Sequence, residues 1–64
     1  MSKATTTRII TGAARPMVAA VGAEQAVALL VDQFGWDDTF AALAASDTPE
    51  ACRALWWMVA SLVG

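Results

Sequence analysis

Residues 47–64 read DTPEACRALWWMVASLVG, and how the chain enters and runs through this stretch decides the fold. Thr48 stands at a helix N-cap. Pro49 takes the first helical position, where its missing N–H is harmless, and Glu50 puts a carboxylate at the positive end of the helix dipole. A helix is therefore predicted from Pro49 to about Leu62. On it Cys52, Leu55, Trp56, Val59 and Val63 share one face, which reads as the core seam. Adjacent helical residues point about 100° apart, so Trp56 and Trp57 cannot both enter one narrow core. Trp56 is expected inside. Trp57 is expected on the flank beside Ala60 and Arg53, whose guanidinium, one turn earlier, can lie over the indole.

Upstream, Trp36-Asp37-Asp38 opens a shorter helix with an aspartate as N-cap and Phe40, Leu43 and Ala44 on one face. It runs out at Ser46-Asp47. Gly35 closes the helix before it, in the left-handed position that favours glycine. That earlier helix, MVAAVGAEQAVALLVDQF over residues 17–34, is predicted to begin on Pro16, with Gly22 bending or splitting it. Around Val27, the residues Ala23, Leu30, Val31 and Phe34 fall within about 60°, and Gln25, Asp32 and Gln33 lie opposite. Leu29 falls among those polar residues, an apolar misfit on the outer side.

Residues 1–12 read differently. In TTTRIIT, residues 5–11, six of seven residues are β-branched, a composition that suits a strand better than a helix. An isolated strand leaves its backbone unpaired. This segment is expected to be a disordered arm, or an edge that pairs with a partner or a copy through Ile9 and Ile10. The fold class that follows is all-α: a compact bundle of three short helices, or four if Gly22 breaks the first, over residues 13–64, behind an extended or disordered N-terminal arm.

Sixty-four residues make one small domain with a thin stability margin. The single cysteine excludes an internal disulfide, and with no histidine no structural zinc site can form. That leaves close helix packing, oligomerisation or a partner to hold the fold. The apolar fraction of 58% is high, but fifteen of those residues are alanine, which favours helix and close approach more than burial. Charge is uneven: Lys3, Arg8 and Arg15 give residues 1–15 a charge of +3, while the remainder carries −5, for −2 overall. An acidic body lacks the clustered basic face that nucleic acid requires. The longest uncharged apolar run, Ala54 to Gly64, is far short of the roughly 20 residues a membrane span needs. Residues 17–23 imitate a signal-peptide core but are short and start on Pro16, so no cleavage and a cytoplasmic location are expected.

Catalytic equipment is missing. There is no histidine or tyrosine, and each acidic residue has a structural explanation: Asp37, Asp38 and Glu50 at helix starts, Glu24 and Asp32 on polar faces, Asp47 in a turn. Cys52, on the apolar face with no base to activate it, reads as a small buried hydrophobe. No enzyme, metal site or cofactor is expected. The expectation is a non-enzymatic protein–protein interaction module, binding another protein or itself through an aromatic patch. Trp57, Arg53, Leu29, Ile9 and Ile10 are its interface candidates. A phage-type inhibitor of a host complex fits this description by size and acidity, and the alternative is a homo-oligomeric structural subunit.

Overall fold

A computed structural model describes residues 2–63. Among them the chain forms four helices: α1 (Lys3–Val21), α2 (Ala23–Phe34), α3 (Trp36–Ala45) and α4 (Pro49–Val63). All six helix pairs are in contact. The all-α class holds, with the higher of the two expected helix counts, and the expected arm does not form.

Two glycines divide the first half of the chain. Gly22 and Gly35 have φ of 90° and 91°, a region where a Cβ is strained. Each ends one helix and starts the next: Gly22 N–H donates to Val18 O, and Gly35 N–H to Val31 O. Gly22 therefore splits the helix rather than bending it. Gly35 also occupies the N-cap of α3, so the aspartate expected there is instead in the first turn, where Asp37 and Asp38 still face the positive end of the dipole. The start of α4 is as read from sequence, with Ala51 N–H donating to Thr48 Oγ1 at 3.2 Å.

The N-terminal segment is the larger correction. Residues 3–21 form one helix, and the boundary expected at residue 12 falls in its middle. One local hydrogen bond favours this conformation, at the N-cap. Ser2 caps the helix by accepting from Thr5 N–H at 3.2 Å. The Thr6 hydroxyl donates to Ser2 O, and that of Thr11 to Thr7 O at 2.7 Å, which satisfies the hydroxyls without stabilising the helix. Packing supplies the rest, since Ile10 is 0% exposed and Ala14 and Val18 follow it along the buried stripe. Summed over the six β-branched residues the propensity penalty is on the order of 3 kcal/mol, which the burial of Ile10 and Val18, at about 1.5–3 kcal/mol each, offsets. Pro16 is consequently inside α1 rather than at its first position. It is exposed, so the carbonyl it leaves unpaired one turn earlier has access to water.

At the centre each helix contributes one large, fully buried side chain: Ile10 from α1, Leu30 from α2, Leu43 from α3 and Met58 from α4. Alanines 14, 26, 42, 51 and 54 surround them and let the helices approach closely. Thr39 is a buried polar residue of this core, its hydroxyl donating to Leu30 O at 3.2 Å. Trp36 and Phe40 stack at 6.4 Å between ring centroids along one flank.

Candidate functional site

The core composition fixes how α4 is turned. Its buried residues are Ala51, Ala54 and Met58, with Leu55 partly buried beside them. The face expected to be the core, apart from Leu55, is therefore outside. Cys52 is exposed, Trp56 is 75% exposed, and Val59 and Val63 are exposed as well. The expectations of a buried Trp56 and a buried Cys52 are both overturned. The reason is steric: α4 touches all three other helices, and alanines at 51 and 54 permit that approach where an indole would hold the helices apart.

The outward residues form a continuous apolar surface. Ala23, Arg53, Trp56, Trp57 and Ala60 line an open groove of about 440 Å³ between α4 and the start of α2. A second, smaller depression of about 330 Å³, lined by Trp56, Val59, Ala60 and Val63, continues it along α4. Trp56 and Ala60 belong to both. After Arg53 the helix carries no charged side chain.

Of the interface residues read from sequence, Trp57 and Arg53 are on this groove, with Trp57 40% exposed. No stack of the Arg53 guanidinium on the Trp57 indole forms among the described residues, where Trp36 with Phe40 is the aromatic pairing. Leu29 is 48% exposed on α2, outward as its position among polar residues implied, but it does not line the groove. Ile9 is 41% exposed on α1. Ile10 is a correction: it sits at the centre of the core and is closed to any partner. Trp56 was missed as a surface residue. The signal that would have found it is the second apolar face of α4, the small one carrying Ala51 and Ala54, which competes with the bulky one for the core.

Among the described residues no three of the metal-ligating side chains gather. Glu50 Oε1 is enclosed without a hydrogen bond, but the Arg15 guanidinium stands 3.7 Å away and balances its charge. Among the described residues no helix is long and apolar enough to cross a membrane. Comparison with protein-family models, curated proteins and solved structures finds no match to this chain.

Proposed function

We propose that the protein is a non-enzymatic interaction module whose outer α4 face docks an apolar helix of a protein partner. The observation that carries this reading is the exposure of Trp56. An indole side chain presents up to about 250 Å², so Trp56 alone leaves roughly 190 Å² in water. At about 25 cal/mol per Å² that is on the order of 4–5 kcal/mol of burial left unused. Trp is also the residue type most enriched at binding hot spots, with Arg close behind.

The spacing favours a helix as the occupant. Cys52, Trp56, Val59 and Val63 recur at intervals of four, three and four, the a/d pattern that receives a partner helix along a seam. A membrane surface is the poorer fit. Interfacial helices carry several basic residues on their polar face, whereas α4 has Arg53 alone and the chain is net acidic.

The test is selection from a displayed peptide library against the wild-type protein, with a Trp56→Lys variant as the control. Expected are amphipathic apolar helices that bind the wild type and not the variant, while the variant keeps its circular dichroism spectrum at high dilution. Selected peptides that bind both proteins equally, a selection that yields none, or a variant that unfolds at dilution would each overturn the proposal.

A further inference from the structure

We infer that the helix received by this face is α4 of a second copy, packed antiparallel about a two-fold axis; the inference rests on the docking reading above. Three features of α4 lead to it. The first is the match of sizes along the seam. Antiparallel pairing sets Trp56 opposite the partner's Val59, and Cys52 opposite the partner's Val63. Each large residue then faces a smaller one, as an interhelical distance of about 8–10 Å requires. Parallel pairing would set the two Trp56 indoles against each other at the axis and force the helices apart.

The second is charge. Arg53 has no carboxylate within ion-pair distance among the described residues, and the last turn of α4 has no basic residue of its own. In the antiparallel arrangement Arg53 flanks the seam opposite the partner's Ala60. That residue is small enough to let the guanidinium reach the carbonyls of the partner's last turn. Those carbonyls lack intrahelical donors and carry the negative end of the dipole. A parallel pair would instead bring Arg53 toward the partner's first turns, where the dipole is positive.

The third is area. Taking the large exposed side chains on or beside this seam (Trp56, Val59, Leu62 and Val63) at their fractional exposures gives on the order of 450 Å² per copy. About 900 Å² in total is below the standard size of a stable interface and in the range of weak, transient ones, which describes a reversible dimer. The seam also lies on the far side of α4 from Ala51, Ala54 and Met58, so the remaining helices of each copy project away from the contact.

Cysteine cross-linking reads the orientation directly. On one helix, positions 52 and 63 are about 16 Å apart at 1.5 Å per residue, too far for an internal disulfide. Under mild oxidation at about 200 µM, a Val63→Cys variant is expected to give Cys52-to-position-63 links between chains, identified by peptide mass mapping. The wild type is expected to stay unlinked, because antiparallel pairing holds its two Cys52 thiols a similar distance apart. Sedimentation equilibrium should show a monomer–dimer equilibrium, its dissociation constant raised at least about five-fold by Arg53→Glu. Rapid Cys52-to-Cys52 linkage in the wild type, or an Arg53→Glu variant that associates as well as the wild type, would overturn the antiparallel arrangement. A clean monomer at about 200 µM would overturn the second copy as occupant. If peptide binding sensitive to Trp56→Lys persists in that case, the docking face stands and only its occupant changes.

Discussion

Replacing Trp56 and Met58 separately by alanine, two positions apart on α4, should give opposite results to those their sizes suggest. Met58 is fully buried among all four helices, and Met→Ala in such a place costs about 2–5 kcal/mol. Trp56 buries only the remaining quarter of its surface, on the order of 60 Å², worth about 1.5 kcal/mol. Alanine's better helix propensity returns roughly 0.5 kcal/mol, for a net loss near 1 kcal/mol. A domain of this length has a total stability of roughly 3–10 kcal/mol, so Met58→Ala removes much or all of it while Trp56→Ala leaves the chain folded. The assay is urea denaturation followed by circular dichroism, at protein concentrations low enough that association does not add to stability. Comparing midpoints at unchanged slope isolates the folding term. A Trp56→Ala loss equal to or larger than that of Met58→Ala would refute the packing of α4 described above.

Two further substitutions test α1. Ile10→Ala should cost about 2–5 kcal/mol and Ile9→Ala under about 1 kcal/mol, measured as shifts in the thermal midpoint; equal effects would mean that the segment is not docked as a helix with Ile10 inward. Pro16→Ala should stabilise the protein by about 2–2.5 kcal/mol, because an interior proline forfeits one backbone hydrogen bond and is worth roughly 3 kcal/mol less than alanine there, of which its stiffening of the unfolded chain offsets about 0.4–1 kcal/mol. A neutral or lower melting temperature for that variant would show instead that Pro16 sits at the start of a helix.

The sequence carried the punctuation of this fold more clearly than its packing. Gly35 and Thr48-Pro49-Glu50 mark helix boundaries because each acts locally, through a positive φ or a side-chain cap, and no distant contact can alter that requirement. The phase of α4 was not legible for the opposite reason. The helix is apolar on two faces, and periodicity cannot rank Ala51, Ala54 and Met58 against Cys52, Trp56, Val59 and Val63. That ranking depends on the space left by three other helices, which small side chains fill better than an indole. The N-terminal segment failed on the same ground: the β-branched residues of TTTRIIT describe a local preference, whereas Ile10, Ala14 and Val18 form a buried stripe once α1 has neighbours. Of the candidate site, Trp57 and Arg53 were readable because both sit one step off the expected core, and the choice between core faces leaves them exposed in either case. Trp56 depended entirely on that choice.

The central claim is that Trp56 faces water in the single chain and is covered only on association. The direct measurement is tryptophan fluorescence of a Trp36→Phe, Trp57→Phe variant, in which Trp56 is the sole indole, with acrylamide quenching across a dilution series. At the lowest concentration the emission should be that of an indole in water and quenching nearly as efficient as for free tryptophan. With rising concentration the emission should move to shorter wavelength and quenching should fall. Blue-shifted emission that is shielded from acrylamide at every concentration would place Trp56 in the core of the monomer and contradict the account.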